Sequence, residues 1–171
     1  MKCFPRLFLA MNLLAFFGIT SSRAAEIGSP APDLTAIDQD GSSVSFGDIY
    51  KKGVTLVYFY PKADTPGCTK EACSLRDSFA DLRGRGLQIL GVSEDKEEAQ
   101  KNFQVKYKLP FTLIADKDGA VAMAFGVPTT AGFAKRQSFL VQDGKVVWRD
   151  LQASTSEQAA DVGKALDQLK K

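Results

Sequence analysis

The chain has 171 residues, of which 44% are hydrophobic and 25% are charged, a composition typical of one globular domain with one core. It contains no histidine, which excludes a Ser-His-Asp triad, a Cys-His pair and histidine-based metal sites. The 22 basic and 20 acidic residues include no long basic run, so binding to nucleic acid is not predicted.

The first 24 residues have the pattern of a secretory signal peptide. Two basic residues precede an apolar run over 7–19, and residues 22–24 (Ser-Arg-Ala) have the small-x-small spacing of a cleavage site. The run is short for a bilayer span, so we expect removal, after Ala24 or Ala25, rather than an uncleaved membrane anchor. The sequence thus predicts an exported, periplasmic protein whose domain covers 25–171, with no stable membrane association after cleavage.

Strands and helices alternate along the first part of the domain, and a hairpin and a last helix follow. In chain order, the predicted elements are a hairpin with strands over 34–37 and 44–46, a doubly buried strand over 54–60, a helix over 68–83, a strand over 87–92, a helix over 95–107, a strand over 111–114, a short helix over 120–125, a hairpin with strands over 138–141 and 146–150, and a helix over 156–169. Thr155 and Gln158 have the spacing of a capping box. This order predicts an α/β protein of the thioredoxin fold, with a mixed central sheet flanked by helices.

The chemistry is expected at Cys68, which directly follows a buried strand and a polar turn and opens a helix. Such a junction lies at the edge of an α/β sheet where functional sites form. The free N–H groups and dipole of a helix start favour a thiolate over a thiol. Because Cys3 falls in the leader, the domain keeps one other cysteine, Cys73.

A thiolate that attacks a peroxide also needs groups that polarise the O–O bond. We expect the N–H groups of Gly67 and Cys68 and the hydroxyl of Thr65 to bind the peroxide, and Pro61 to shield the thiolate. Without histidine, the cation has to be a lysine or, better, an arginine. From the residues alone, Arg76 and Arg149 are candidates.

The spacing of the two cysteines predicts a conformational step. In one regular helix, Cα atoms five residues apart are roughly 8–9 Å from each other, beyond the ~7 Å limit for a disulfide. We therefore expect Cys68 to become a sulfenic acid, the helix to unwind, and Cys73 to form the disulfide, which a dithiol then reduces.

The segment from Pro61 to Cys73 resembles the active-site motif of peroxiredoxins, and Thr65-Pro-Gly-Cys-Thr-Lys-Glu-Ala-Cys73 resembles the bacterioferritin comigratory protein, or peroxiredoxin Q, branch. The resemblance implies a thioredoxin fold, a peroxidatic Cys68 and a resolving Cys73. It implies motif roles for Thr65 and Pro61, an active-site arginine at Arg136, and a Glu71 that orients that arginine. Two features depart from the branch, namely the leader and the short segment over 127–135.

Other interpretations of the same residues stay open at this point. The two cysteines could form a structural disulfide, Thr65 could cap the helix, Arg136 could be a surface residue, and Glu71 could favour the helix start by charge alone. Rival functions are a protein thiol–disulfide oxidoreductase, although that class normally carries C-x-x-C, and a redox-responsive binding protein. No metal, flavin or haem motif is present, and we expect a monomer that uses a hydroperoxide and a thioredoxin-like or other dithiol reductant.

Overall fold

A computed structural model of the protein describes residues 24–169. The predicted leader lies outside these residues except for Ala24, and Cys3 lies outside them as well. Among the described residues, no helix combines the length and apolarity that a membrane span requires.

The described residues form a mixed α/β domain. Its elements are β1 (Thr35–Ile37), β2 (Ser43–Ser45), α1 (Phe46–Tyr50), β3 (Thr55–Phe59), α2 (Pro66–Asp77), α3 (Phe79–Gly84), β4 (Gln88–Ser93), α4 (Glu97–Tyr107), β5 (Thr112–Ala115), α5 (Ala120–Ala124), β6 (Thr129–Thr130), β7 (Phe133–Ala134), β8 (Gln137–Gln142), β9 (Lys145–Asp150) and α6 (Gln158–Gln168). This order matches the predicted one, with two corrections and two additions. The first addition is α1, which begins at Phe46, the last residue of the predicted strand over 44–46.

The first correction concerns the helix predicted over 68–83, which is two helices. Helix α2 begins two residues earlier, at Pro66, and the backbone leaves helical geometry at Ser78 (φ −95°, ψ 2°) before α3 begins. Proline is favoured in the first helical turn because its missing N–H is not needed there. As a result Cys68 is the third residue of α2, within its first turn.

The second correction concerns the start of the last helix. The predicted capping box is wrong, because the side chain of Gln158 points inward and donates a 2.6 Å hydrogen bond to Ser138 Oγ. Ser154 Oγ instead accepts the backbone N–H groups of Ser156 and Glu157, at 3.3 Å and 3.2 Å. The segment over 127–135 adds a small antiparallel hairpin, β6–β7.

The central sheet has the strand order β5-β4-β3-β8-β9. Strands β3, β4 and β5 are parallel, whereas β8 is antiparallel to both β3 and β9. The predicted mixed sheet is therefore confirmed. Parallel strands end at the same edge, so the chain that follows β3 lies beside the chain that follows β4 and β5.

Alternation along β3 divides the core into two layers. Leu56 and Tyr58 face a layer that contains α2, α4 and α6, whereas Val57 and Phe59 face a layer that contains α1 and α5. All five residues of β3 are buried, as its apolar sequence predicts for a strand covered on both faces. Gly91 on β4 lies where a Cβ would come within 2.7 Å of the Tyr58 hydroxyl oxygen, so Tyr58 fits only against glycine.

Both edges of the sheet are covered by chain from the amino-terminal part of the domain. At β5, Gln39 donates its N–H to the Leu113 carbonyl and accepts the Leu113 N–H with its side-chain oxygen. At β9, Gly28 donates to the Val146 carbonyl and Val146 donates to Ser29. These bonds shield part of each edge from pairing with other chains.

Candidate active site

The turn between β3 and α2 is held from the neighbouring strand and from α4. The N–H of Ala63 donates to Asp95 Oδ2 at 2.7 Å. Asp64 adopts a left-handed φ of 57°, a conformation that aspartate tolerates better than most residues. Its carboxylate accepts hydrogen bonds from Lys106 Nζ at 2.7 Å and from the Tyr107 hydroxyl at 2.6 Å. These contacts fix the direction in which α2 leaves the sheet.

Cys68 lies in the first turn of α2, and only 2% of its surface is exposed. Arg136, directly before β8, donates from Nη2 to Cys68 Sγ at 3.3 Å. The helix start adds N–H groups that have no partner within the helix, because the first four N–H groups of any α-helix lack one. A positive charge and the positive end of a helix therefore meet at one sulfur, an arrangement that favours the thiolate.

Arg136 also forms an ion pair with Glu71, from Nη1 to Oε2. Glu71 is fully buried, one turn after Cys68, and its other oxygen, Oε1, has no hydrogen-bond partner among the described residues. Burial raises the pKa of Glu71 to about 8, although Arg136 acts in the opposite direction. Burial also disfavours a charged Arg136, but Glu71 and Cys68 together raise its pKa. The guanidinium thus stays charged between a carboxyl group and a thiol.

The remaining predicted residues lie in the turn before Cys68 and at its helix start. Thr65 is the N-cap residue of α2, but its hydroxyl donates to the Lys62 carbonyl at 3.0 Å and does not cap the helix. Gly67 lies between Arg136 and Thr155, since a Cβ on it would be 3.5 Å from Arg136 Nη2 and 3.4 Å from the Thr155 methyl group. The absence of a side chain at Gly67 keeps this space free beside the thiol. Pro61 lies half-buried at the end of β3.

Cys73 lies on the same helix, in its second half, and both cysteines are free thiols. The structure does not contain the structural disulfide that was an alternative interpretation. Because α2 is a continuous helix from Pro66 to Asp77, ideal geometry separates the two Cα atoms by roughly 8–9 Å. A bond between Cys68 and Cys73 therefore requires that part of α2 lose its helical form.

Comparison with known proteins identifies the family. Residues 27–149 match the model of the AhpC/TSA family. Peroxiredoxin Bcp of Escherichia coli is 44% identical over 127 residues, which cover 70% of this chain and 81% of that protein. The chain belongs to the AhpC/TSA family, in its peroxiredoxin Bcp and Q branch. As a member of this branch it is a thiol peroxidase.

Other relatives and solved structures agree with this assignment. This chain is 42% identical over 122 residues to the chloroplastic peroxiredoxin Q of Oryza sativa subsp. japonica. The match covers 70% of this chain and 56% of that longer protein. The bacterioferritin comigratory protein of Xanthomonas campestris matches its structure with a TM-score of 0.77 at 28% identity, over 86% of this chain and 98% of that chain. These matches confirm the thioredoxin fold.

The structure separates the three arginines that the sequence offered. Arg136 contacts the Cys68 thiol. Arg76 instead donates to the Tyr107 carbonyl and pairs with Asp77. Arg149 donates to the carbonyls of residues 24 and 25 near the amino terminus.

A buried polar network, which no sequence motif indicated, lies beside the turn between β3 and α2. Gln100 accepts the Tyr60 hydroxyl and donates to Ser93 Oγ at 2.8 Å. Ser93 donates in turn to Asp95 Oδ2 at 2.7 Å, the atom that also accepts the N–H of Ala63. Asp95, two residues after the buried strand β4, was the available signal, because the chain after such a strand lies at the functional edge of a parallel sheet.

Proposed function

We propose that Cys68 of this peroxiredoxin attacks hydrogen peroxide and organic hydroperoxides, and that Cys73 resolves the product. The contact between Arg136 Nη2 and the buried Cys68 Sγ, 3.3 Å long at a helix start, is the observation that carries the proposal. It combines a nucleophile, a fixed cation and free N–H donors at one point. The related Xanthomonas protein is described by its alkyl peroxide reduction activity, which supports organic hydroperoxides as substrates.

In the first step the Cys68 thiolate attacks one peroxide oxygen and the O–O bond breaks. The sulfur is oxidised by two electrons to a sulfenic acid, and the other oxygen leaves as an alcohol or water after it takes a proton. Arg136 and the N–H groups of Gly67 and Cys68 stabilise the negative charge that moves onto the oxygens. Glu71 holds Arg136 in place by accepting a hydrogen bond from its other nitrogen, Nη1.

In the second step the Cys73 thiolate attacks the Cys68 sulfenic sulfur, and the sulfenic oxygen leaves as water. For this step α2 has to unwind between the two cysteines. A dithiol then reduces the Cys68–Cys73 disulfide by thiol–disulfide exchange, and a thioredoxin-like protein is the reductant class that fits a disulfide exposed by unwinding.

The test measures hydrogen peroxide consumption with dithiothreitol for the wild type, Cys68→Ser and Cys73→Ser. We expect Cys68→Ser to be inactive. We expect Cys73→Ser, treated with hydrogen peroxide in the absence of dithiothreitol, to oxidise Cys68 once and to stop at a sulfenic acid, visible by intact mass after dimedone labelling. Equal, slow consumption by the wild type and Cys68→Ser would refute the mechanism, and reduction of a protein disulfide without peroxide would support the oxidoreductase alternative.

We also propose that residues 1–24 are a secretory leader and that the enzyme works in the periplasm. The segment next to the proposed cleavage site belongs to the domain, because the Ala25 N–H donates to the Phe125 carbonyl at 2.9 Å and Arg149 donates to the Ala25 carbonyl at 2.9 Å. Cleavage after Ala24 keeps both contacts, whereas cleavage after Ala25 removes them. Amino-terminal sequencing of the protein from a periplasmic fraction tests this, and a full-length cytoplasmic protein would contradict it.

We further propose that the mature enzyme is a monomer. The covered edges of β5 and β9 support this, because neither edge presents free N–H and C=O groups along its whole length. Light scattering coupled to size exclusion, on the reduced and the oxidised protein, tests it.

A further inference from the structure

The carboxyl end of α4 contacts the chain on both sides of the two cysteines. On one side, Lys106 Nζ and the Tyr107 hydroxyl bind the Asp64 carboxylate. On the other side, Arg76 Nη1 donates to the Tyr107 carbonyl at 2.9 Å. Tyr107 therefore holds both flanks, one with its side chain and one with its backbone.

This end of α4 is itself firmly attached to the core. The Tyr107 ring packs edge-on against Phe103, with ring centroids 5.3 Å apart, and Phe103 is 1% exposed. After Tyr107 the helix ends with Lys108 in the left-handed conformation. None of these contacts involves the residues between Asp64 and Arg76, so α4 keeps its position when those residues change conformation.

The residues between the two attachment points include everything that the disulfide step has to rearrange. Cys68 and Cys73 both lie between Asp64 and Arg76, and α2 has to unwind before their sulfur atoms can meet. A segment whose two ends stay fixed samples far fewer conformations than one with a free end, so its two thiols meet at a higher effective concentration.

We propose that Arg76 and Tyr107 are positioning residues for the resolving step, which together with Asp64 clamp both ends of the cysteine segment while α2 unwinds between them. The proposal rests on the proposed peroxidase cycle and adds the residues that control its second step. Arg76 follows Cys73 by three residues, so the two side chains share one face of the helix.

A purely structural role predicts the opposite kinetic result. If these contacts only stabilised the folded helix, their removal would make unwinding easier and disulfide formation faster. If they persist during unwinding, their removal leaves the unwinding equilibrium unchanged and lets Cys73 move away. The sign of the change in the disulfide rate therefore distinguishes the two roles.

The experiment measures the two steps separately in the full mature protein after one equivalent of hydrogen peroxide. Quenched-flow sampling with intact mass follows the sulfenic acid, the disulfide and, with excess peroxide, the sulfinic acid that forms when resolution is slow. The variants are Arg76→Ala, Arg76→Lys and Tyr107→Phe, the last of which removes only the hydroxyl. Matched controls are Arg85→Ala, because Arg85 binds a helix carbonyl and an aspartate in the same way, and Tyr50→Phe, because the Tyr50 hydroxyl binds a backbone carbonyl remote from α2.

We expect Arg76→Ala to form sulfenic acid at the wild-type rate but to form the disulfide about tenfold more slowly, as loss of a charged hydrogen bond implies. More sulfinic acid should accumulate, Arg76→Lys should partly restore the rate, and Tyr107→Phe should show a smaller loss. Disulfide formation as fast as in the controls, or faster, would overturn the clamp. A failure of the wild type to form sulfenic acid at Cys68 would instead overturn the peroxidase cycle.

Discussion

The two halves of α2 are attached to the protein by different kinds of interaction. The first half, which contains Cys68, buries the polar side chain of Glu71, and the Glu71 Oε1 and Thr69 Oγ1 atoms are buried without a hydrogen-bond partner among the described residues. The second half buries Leu75 completely and is fixed to α4 through Arg76. A buried polar atom without a partner destabilises the fold, whereas a buried leucine stabilises it.

This difference matches the chemistry that each half performs. The half that has to unwind is held by polar contacts, centred on Arg136, that involve the reacting sulfur itself. The half that carries Cys73 is held by apolar packing and by a contact to a different helix. Oxidation of Cys68 therefore alters the attachment of the first half while the second half keeps its own.

The largest expected effect follows from removal of Arg136, the cation beside the first half of α2. Arg136→Ala should lower the rate constant of Cys68 oxidation by about 10²–10³, comparable to the loss of one fixed donor to a developing oxyanion. The rate constant of Arg136→Lys should lie between those of the wild type and Arg136→Ala, because lysine keeps the positive charge but lacks the paired N–H donors of the guanidinium. Dimedone labelling in a Cys73→Ser background measures the rate, and Arg83→Ala on α3 is the control. A rate for Arg136→Ala equal to that control would contradict the proposed site.

The attachment of the second half predicts a large effect on global stability. Leu75→Ala should lower the free energy of unfolding by about 2–5 kcal/mol, because it leaves a cavity in the core. Chemical denaturation of the reduced protein measures it. The control is Val105→Ala on α4, whose side chain is 62% exposed. If both variants unfold at the same denaturant concentration, the second half of α2 is not an anchored element.

The buried carboxyl group of the first half predicts a dependence of stability on pH. The pKa of Glu71 is raised from 4.5 to about 8 in the folded protein, so its stabilising contribution is complete below about pH 4.5 and decreases as the pH rises toward 8. Wild type should therefore lose thermal stability relative to Glu71→Gln over this range.

Thermal unfolding of both proteins at a series of pH values tests this, with Cys68→Ser present in each so that the thiol does not titrate. If the wild type instead gains stability relative to Glu71→Gln as the pH rises, the ion pair with Arg136 outweighs the burial of Glu71.

The smallest expected effect comes from the unpartnered hydroxyl of Thr69. Thr69→Val keeps the shape and removes a buried polar atom without a partner, so it should raise the free energy of unfolding by about 1 kcal/mol. It should also slow disulfide formation, because α2 becomes harder to unwind. Thr55→Val is the contrasting variant, since the Thr55 hydroxyl is buried but donates to the Gly53 carbonyl. Destabilisation by Thr69→Val to the same extent as by Thr55→Val would show that the Thr69 hydroxyl is satisfied.

Much of the fold was predictable because the patterns are local. The run over 54–60 consists of β-branched, aromatic and leucine residues, which favours a strand buried on both faces, and the Asp-Gly pair at 143–144 marks the last hairpin. The prediction of one helix over 68–83 was wrong, because the backbone leaves helical geometry at Ser78. The apolar residues keep their helical spacing across this break, so the sequence pattern does not show it. Gln158 likewise fits a local capping pattern, but its side-chain amide donates to the buried Ser138 hydroxyl on β8.

The sequence by itself determined the reacting groups of this protein. The order of strand, Pro- and Gly-containing turn, Cys68 and Cys73 is local, and so is the need to unwind a helix between two cysteines five residues apart. The absence of histidine restricted the cation to arginine or lysine.

Only the tertiary structure decided which distant groups act on the thiols. Arg136 reaches Cys68 across 68 positions of the chain, and Tyr107 reaches Asp64 across 43. No local pattern encodes these contacts, because they exist only once β8 pairs with β3 and α4 packs on the sheet.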